Sequence, residues 1–575
     1  MRRLAVLFVV LVAVALVAAF AGILLAGRHR RLAGPTILVW RVDRPILEQA
    51  SEPLLFGGAS ADSMTVLYPA FRAARADRNV KGIAVYIQSA ELGLAKAQEL
   101  RRQLAALSQA GKFVECYLDS VGEGSNGTLD YYLATACDHI QMSPAGEVNL
   151  IGLYAEGTFF KEGLDKLKVD PVYRHVGAFK SYGETYTESH WTPPAAQAIN
   201  AVLDSSYDQI VAAVATSRRL AARTVRELID GAPYTATAAV EKKLIDRLGY
   251  PDEFRARLSR LAGGRPRWQR LEDYGDAAAG SSGPRIAVLV AQGEIVRGRG
   301  RSAPWSDEVE MGSDEMARQL RQAARDASLA AVVLRVDSPG GSALASDLIL
   351  REVKLLARKK PLVVSMSDLA ASGGYYITAG ARKIVAEPAT LTGSIGVVGG
   401  KFVTRRLQEE VLGITHDPLK RGKNADLYSS LTTYTAEQDA GVQARMRHVY
   451  DLFVGHVAEA RRLPRATVEA VAGGRVWTGA DAQRLGLVDE LGGLDRAIET
   501  RPRSGPPAEG GAGPAGVLPR APEPVRFPAR AARAAPPFLP PPPREEPRAA
   551  AGRAPRAASR NRPPGAALLS RKPFP

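Results

Sequence analysis

The chain has 575 residues, of which 24% are charged, and a net charge of +16. This length exceeds what one hydrophobic core usually supports, so we expect two comparable domains or one duplicated domain. The positive charge does not indicate nucleic-acid binding. Residues 501–575 hold 13 Arg, one Lys and four Glu, and five further arginines flank the first apolar segment, so the rest of the chain is close to neutral. The basic ends are suited instead to contact with anionic lipid.

The first predicted element is an apolar segment, residues 4–27, which contains no charged residue. As a helix with a rise of about 1.5 Å per residue, it spans a hydrocarbon layer of roughly 30 Å. It is longer than the apolar region of a cleaved signal peptide and has no convincing cleavage site, so we predict an uncleaved transmembrane anchor. Arginines lie on both sides of it, so charge alone does not set its orientation.

The body of the chain divides near residues 275–284, where Ala, Gly and Ser accumulate ahead of an apolar strand pattern. The two sides resemble each other. Tyr131-Tyr132 matches Tyr375-Tyr376, and Tyr234 matches Trp477 at an offset of 243 residues. A repeat this long predicts a duplicated domain rather than a solenoid. The predicted halves cover residues 36–272 and residues 283–499.

Within each half, β-branched runs alternate with amphipathic helical patterns. In the second half, residues 330–336 predict a buried strand, residues 345–357 the helix that follows, and residues 361–365 another strand. Such repeated units imply a parallel sheet with right-handed crossovers, so the predicted fold class is α/β. Residues 501–575 contain 20 of the 38 prolines and are predicted to be a disordered tail.

Cysteine usage gives no indication of a metal site. Cys116 and Cys137 are the two cysteines of the chain, and neither a CxxC motif nor a histidine cluster accompanies them. They either pair in an oxidising compartment or remain two buried thiols, and the second interpretation is the default. We therefore predict no metal and no cofactor.

Two segments carry candidate chemistry. Asp337-Ser338-Pro339-Gly340-Gly341 lies between a strand and a helix, and its glycines expose backbone N–H groups as an oxyanion hole requires, although a simple tight turn has the same pattern. In Ala370-Ala371-Ser372-Gly373-Gly374 a serine stands at a predicted helix N-terminus, where its hydroxyl is accessible and the helix dipole stabilises negative charge. A serine that merely caps the helix is the alternative.

Together with the segment 390–396, Thr-Leu-Thr-Gly-Ser-Ile-Gly, these motifs resemble the signal peptide peptidase family over roughly residues 36–499. The resemblance implies two tandem crotonase-like (Clp-protease-like) halves and makes Ser372 the nucleophile. The oxyanion donors that it implies are Gly341 and Gly373, with Gly340 as the less favoured alternative to Gly341.

The same resemblance implies a lysine base. In the short type of the family the lysine lies in a Gly-x-x-Lys-Asp segment, but Ala425 occupies that place in this second half. The first half has Lys180 in the matching place, as in the long, duplicated type. Conversely, Thr128 stands where the second half has Ser372. We therefore predict one composite Ser–Lys site, formed within one chain or between neighbouring chains.

A lysine acts as a base only when neutral, so burial must lower its pKa from about 10.4. Phe179 and Ala178 allow such burial, and Ser181 is a candidate to orient the amine. His175 and His190 are alternative candidates for the base, in a Ser-His-Asp triad, although isolated histidines are usually structural or exposed.

The resemblance implies a membrane-bound serine endopeptidase of the protease IV type that cleaves remnant signal peptides and other hydrophobic peptides. It further implies a homo-oligomer, with a tetramer expected, and a single-pass inner-membrane protein with an extracytoplasmic catalytic body. The expected partners are peptide substrates, membrane lipid and other copies of the chain. The alternatives are a crotonase-like acyl-CoA hydratase or isomerase, and a non-catalytic scaffold that binds membrane peptides.

Overall fold

The computed structural model describes residues 34–49, 62–275, 285–300, 309–500 and 515–517. The predicted anchor, residues 4–27, lies outside these ranges, as does the predicted tail except for three residues. Those three form a strand, so the prediction of disorder does not hold at Ala515–Val517. Within the described ranges, no helix combines the length and the apolar character that a membrane crossing needs.

The first half contains short strands and helices in alternation. Its strands are β1 (Thr36–Val42), β2 (Val80–Ile87), β3 (Phe113–Leu118), β4 (His139–Met142), β5 (Glu147–Val148), β6 (Asp170–Val176), β7 (Tyr234–Thr235), β8 (Arg247–Leu248) and β9 (Arg267–Arg270). Its helices are α1 (Met64–Ala76), α2 (Leu94–Gln109), α3 (Thr128–Ala134), α4 (Lys161–Lys166), α5 (Glu184–Thr187), α6 (Pro193–Arg218), α7 (Ala222–Asp230), α8 (Ala236–Glu241), α9 (Pro251–Leu261) and α10 (Glu272–Gly275), with a 3₁₀ turn at Ser181–Gly183.

The second half follows the same alternation. Its strands are β10 (Arg285–Gln292), β11 (Glu294–Val296), β12 (Glu310–Gly312), β13 (Leu329–Ser338), β14 (Leu362–Ala371), β15 (Lys383–Ala386), β16 (Leu391–Gly393), β17 (Val397–Val403), β18 (Val476–Thr478), β19 (Glu490–Leu491) and β20 (Ala515–Val517). Its helices are α11 (Ser313–Arg325), α12 (Ala343–Lys359), α13 (Gly373–Tyr376), α14 (Ala436–Arg461), α15 (Arg465–Val471), α16 (Gly479–Arg484) and α17 (Leu494–Glu499), with a 3₁₀ turn at Ile377–Gly380 and a π-helical turn at Leu407–Val411.

The two halves build sheets with the same strand order. The first sheet runs β8-β4-β3-β2-β1-β9, and the second runs β19-β15-β14-β13-β10-β20 with matching connections, all parallel. A short antiparallel pair accompanies each sheet, β5 with β7 and β16 with β18. The fold is therefore α/β, and the internal repeat of the sequence has a direct counterpart in the topology.

The central strands are buried because helices cover both faces of a parallel sheet, which is why they form continuous apolar runs in the sequence. The predicted strand 330–336 lies within β13, and the strand predicted at 361–365 begins β14. The predicted helix 345–357 lies within α12, whose residues Ile349, Leu350 and Val353 are buried against the sheet. These three predictions are confirmed.

An antiparallel ribbon joins the two halves. Strand β6 of the first half pairs with β17 of the second, from Val176 opposite Val397 to Asp170 opposite Val403. Sheet pairing across the halves provides hydrogen-bond partners for the backbone groups on the facing edges of the two strands. The ribbon therefore fixes the register of one half against the other next to the site described below.

A buried ionic cluster also joins the halves. Arg335 on β13 is 1% exposed, and its guanidinium contacts Glu48 and Glu99 of the first half, each at 2.8 Å. It also donates to Ser365 Oγ at 2.8 Å. Removing one partner of such a buried pair leaves an uncompensated charge in the interior.

We expect Arg335→Met to lower the free energy of unfolding by about 3–5 kcal/mol, because Glu99 would lose its buried 2.8 Å ion pair. Urea denaturation of the purified protein measures this loss. The matched control is Arg223→Met, which removes an exposed pair with Glu227 and should change stability by less than about 1 kcal/mol. Equal losses in the two variants would contradict the prediction.

Candidate active site

Ser372 lies at the sharp turn between β14 and α13. Its backbone has φ 53° and ψ −118°, a conformation that residues with a side chain rarely adopt, at a typical cost of about 1–3 kcal/mol. Its N–H donates to the carbonyl of Gly393 at 2.9 Å, which holds the turn in place. The side chain is half-buried. The turn therefore presents the hydroxyl at the end of the strand instead of within the sheet.

The turn after β13 packs directly against this serine. Gly340 has φ 107°, and a Cβ added there would lie 2.5 Å from the backbone nitrogen of Gly373. Only glycine permits an approach this close. The N–H of Gly340 donates to Ser338 Oγ at 3.2 Å, whereas the N–H groups of Gly341 and Gly373 have no acceptor among the hydrogen bonds of the described residues. Those two groups are thus the ones available to bind an oxyanion.

Lys180 approaches from the first half, four residues after β6 ends. Its Nζ lies 2.9 Å from Ser372 Oγ and donates to the carbonyl of Ser394 at 3.0 Å and to Ser394 Oγ at 2.8 Å. The residues predicted to be base and nucleophile are therefore brought together within one chain, although 192 positions separate them.

Lys180 is buried, and among the described residues no carboxylate pairs with its amine. The residue is 9% exposed, and burial lowers the pKa of its ammonium group from about 10.5 to about 8. Its polar partners are hydroxyl and carbonyl oxygens, which accept hydrogen bonds without contributing a full negative charge. A substantial fraction of the amine is consequently neutral near pH 8 and able to accept a proton.

The backbone of the second half packs against the segment that carries Lys180. Phe179 donates its N–H to the carbonyl of Gly473 at 2.8 Å. Gly474 has φ 86°, and a Cβ there would lie 2.5 Å from the backbone nitrogen of Lys180. A side chain at this position would therefore displace the backbone of the lysine. The position of the amine thus depends on both halves.

The duplicated positions are unsuited to the same chemistry. Thr128, which takes the place of Ser372, is 1% exposed, and its hydroxyl donates to the carbonyl of Gly152 at 3.1 Å while accepting that residue's N–H at 3.0 Å. Ala425 is exposed, and the neighbouring Lys423 is 74% exposed and paired with Glu437. At the position equivalent to Ser372, the first half thus has no free hydroxyl. At the position equivalent to Lys180, the second half has no buried amine.

Other candidate residues lie apart from the pair. His175 and His190 are exposed, and His175 Nδ1 lies 2.9 Å from the carbonyl oxygen of Gly177. Neither histidine has a described contact with Ser372, so the Ser-His-Asp alternative is wrong in this structure. Cys116 and Cys137 are free, buried thiols.

Sequence reasoning missed Ser394. Ser181 was the candidate to orient the amine, but among the described hydrogen bonds the amine contacts Ser394 instead. Ser394 has φ 51° and belongs to the segment 390–396 that contributed to the family resemblance. A serine between two glycines of such a motif was the available signal, but nothing local indicates that its hydroxyl reaches a lysine 214 positions away.

Comparisons with known proteins identify the family of the chain. The chain matches the model of Peptidase family S49 over residues 109–264 and 354–502. It is 33% identical over 461 residues to "Serine protease SPPA, chloroplastic" of Arabidopsis thaliana, covering 78% of this chain and 67% of that protein. It is 32% identical to "Protease 4" of Salmonella typhi, covering 77% of this chain and 73% of that protein, and 32% identical to "Protease 4" of Haemophilus influenzae, covering 75% and 71%.

We expect Ser372→Gly to be more stable than Ser372→Ala by about 1 kcal/mol, because only glycine relieves the positive φ at this turn. Urea denaturation of both variants measures the difference. The same two substitutions at Ser365, which lies in the regular part of β14, should show the opposite order, since glycine weakens a strand. An alanine variant as stable as the glycine variant at 372 would contradict the proposed strain.

We expect Lys180→Met to be more stable than the wild type below pH 8, by up to about 3 kcal/mol, because the wild type must bury a charged amine there. Between pH 8 and 10.5 the unfolded wild type binds more protons than the folded form, so its stability rises with pH. The advantage of the methionine variant should therefore shrink across this range. Denaturation at pH 6.5 and pH 10 measures both values, and a difference that is independent of pH would contradict the lowered pKa.

Proposed function

The chain belongs to peptidase family S49 and is a serine peptidase, and from this premise we propose that it hydrolyses peptide bonds with Ser372 as nucleophile and Lys180 as general base. The observation that carries the proposal is the 2.9 Å separation of Lys180 Nζ and Ser372 Oγ, in a buried site where none of the described carboxylates pairs with the lysine. A serine hydroxyl is a weak nucleophile until such a base removes its proton.

The proposed reaction begins when neutral Lys180 accepts the proton of Ser372 Oγ and this oxygen attacks the carbonyl carbon. The N–H groups of Gly341 and Gly373 then hydrogen-bond the oxyanion. The lysine ammonium gives its proton to the leaving amine, and an acyl-enzyme forms on Oγ. Lys180 next takes a proton from water, and the oxygen of this water attacks the acyl carbon. When the bond between the acyl carbon and Oγ breaks, Lys180 gives that proton to Oγ and the Ser372 hydroxyl is restored.

Ser394 has a supporting role in this proposal. Its hydroxyl and its carbonyl oxygen both accept from Lys180 Nζ, so they hold the amine on the side of Ser372. Neither oxygen is charged, so they orient the amine without the strong preference for the ammonium form that a carboxylate would impose. The proposed site therefore needs three side chains, and two backbone N–H groups complete it.

The finer parts of the proposal concern fold and cellular setting. We propose that each half is a crotonase-like unit, supported by the repeated strand order of the two sheets. We also propose a single-pass inner-membrane protein with an extracytoplasmic body, supported by the uncharged segment 4–27. Remnant signal peptides and other hydrophobic peptides are the proposed substrates, and the proposed assembly is a homo-oligomer such as a tetramer.

The acyl-CoA alternative is not favoured by the site. A hydratase or isomerase of that kind places carboxylates at the reacting carbon, whereas the groups within hydrogen-bonding distance of Ser372 and Lys180 are amine, hydroxyl and carbonyl. Membership in a peptidase family also argues against the non-catalytic scaffold.

We expect Ser372→Ala and Lys180→Ala each to lower kcat by about 10³-fold or more, because the serine needs the base and the base needs the serine. Hydrolysis of a fluorogenic apolar peptide by detergent-purified full-length protein measures this. In the wild type, kcat/KM should rise with pH and reach half its maximum near pH 8, because protonated Lys180 cannot accept the serine proton.

The matched control is Lys423→Ala, which removes an exposed lysine of the duplicated segment and should leave the kinetics unchanged. An active Lys180→Ala protein would overturn the base assignment. Hydrolysis that is indifferent to Ser372 would overturn the proposed mechanism as a whole.

A further inference from the structure

Helix α2 of the first half inserts a second buried lysine beside the turn that follows β13. Lys96 is 7% exposed, and its Nζ lies 2.7 Å from Asp337 Oδ2, 3.2 Å from Asp368 Oδ2 and 3.7 Å from Glu48 Oε1. Burial works to lower its pKa, but the carboxylates of Asp368, Glu48 and Asp337 outweigh burial and raise the pKa. This lysine is therefore a permanent cation that holds carboxylates.

Two of these carboxylates belong to the strands that carry the proposed machinery. Asp337 is next to the last residue of β13 and precedes the Gly340-Gly341 turn, and Asp368 lies on β14 four residues before Ser372. One ammonium group thus contacts both strands near their C-terminal ends. The Gly340-Gly341 turn, called the oxyanion turn below, follows one of these ends, and the proposed nucleophile Ser372 follows the other.

The strand pairing is irregular at this point. Val336 lies opposite Met366, but Ser338 lies opposite Ala370, so β14 has an extra segment facing Asp337. The carboxylate of Asp337 compensates by accepting the N–H of Leu369 at 3.1 Å. The spacing between the two strand ends therefore depends on the position of this side chain, and Lys96 holds its other oxygen.

Asp368 completes the link to the first half. Its carboxylate accepts the backbone N–H of Gly93 at 3.2 Å and that of Lys96 at 2.9 Å, at the N-terminus of α2. The helix start, the lysine and the two strand ends consequently form one connected unit. A shift of Lys96 would be transmitted to Asp337 and from there to the turn that bears Gly341.

We infer that Lys96 is a positioning residue for the oxyanion donors, acting through Asp337 to fix the turn that carries Gly341 against Ser372. The inference rests on the proposed peptidase mechanism, because it assigns a role in stabilising that oxyanion. It gives the first half a second task beyond supplying Lys180. Lys96 does not touch the substrate, so its effect is on donor geometry, where displacements of about 1 Å cost as much as 10²-fold in rate.

The test compares kcat, KM and thermal unfolding of full-length Lys96→Met with those of the wild type. We expect kcat to fall at least about tenfold with KM changed less than about threefold, since the donors act mainly on the transition state. A peptide aldehyde, which adds to Ser372 and places its oxygen among the same donors, should bind more weakly by a similar factor. The pH midpoint near 8 should stay in place, because Lys180 is unchanged.

The matched control is Arg102→Met on the same helix. Arg102 also crosses to second-half carboxylates, Glu387 and Asp495, but these do not contact the oxyanion turn in the described structure. We expect this variant to lose stability and to keep kcat within about threefold of the wild type. A Lys96→Met/Asp368→Asn double variant removes one of the partly buried carboxylates that the single variant leaves without Lys96, so it should regain stability without regaining kcat.

The outcomes separate the two proposals. If the wild type cleaves the peptide only when Ser372 is present, yet Lys96→Met keeps its kcat within about twofold, the positioning role is wrong and the mechanism stands. Recovery of kcat together with stability in the double variant would also overturn the role, because the effect would then be structural. Wild-type hydrolysis that is independent of Ser372 would instead overturn the mechanism on which the inference rests.

Discussion

The β6–β17 ribbon is the constraint on which the site depends. It pairs the last residue of β6 with the first residue of β17, so the chain that continues to Lys180 and the chain that arrives from Ser394 meet at the same end of the ribbon. This pairing converts a separation of 214 positions in sequence into a 2.8 Å contact between the amine and a hydroxyl. Ser372 is tied to the same place because its N–H bonds to Gly393, the residue before Ser394. Without this register, no local preference of either half would bring Lys180 and Ser372 together.

The two halves share a topology but have specialised in complementary ways. In the first half, Thr128 stands at the position equivalent to Ser372, yet its hydroxyl both donates to and accepts from the backbone of Gly152. In the second half, the segment around Ala425 is exposed, so a lysine there would be solvated and fully protonated near neutral pH. One half therefore supplies burial for an amine and the other supplies a strained serine turn. Neither half alone has the groups for the proposed reaction.

Much of this arrangement was predictable from the sequence, and the remainder has a common physical character. The strand runs near residues 330 and 361 and the serine turn follow from local periodicity and from glycines next to Ser372. Lys180 required the internal repeat and the family resemblance, because an isolated lysine in a loop is usually exposed. The contacts of Ser394 and the cluster around Arg335 were not predictable, because each joins residues far apart in sequence whose local patterns are ordinary. Buried charges in particular look like surface residues until their partners are known.

Two lysines of nearly equal burial have opposite pKa shifts, because their charged and uncharged partners differ. Lys96 is 7% exposed and Lys180 is 9% exposed, so desolvation opposes the charge on both. Three carboxylates surround Lys96 and raise its pKa, whereas the polar partners of Lys180 are uncharged oxygens and its pKa falls to about 8. The difference lies in the partners and not in the depth of burial. A carboxylate at the position of Ser394 would keep Lys180 protonated and remove its capacity to accept a proton, while an uncharged side chain at 96 would release the carboxylates beside the oxyanion turn. The site therefore requires the acidic side chains to be gathered around Lys96 and Arg335 and kept away from the amine that faces Ser372.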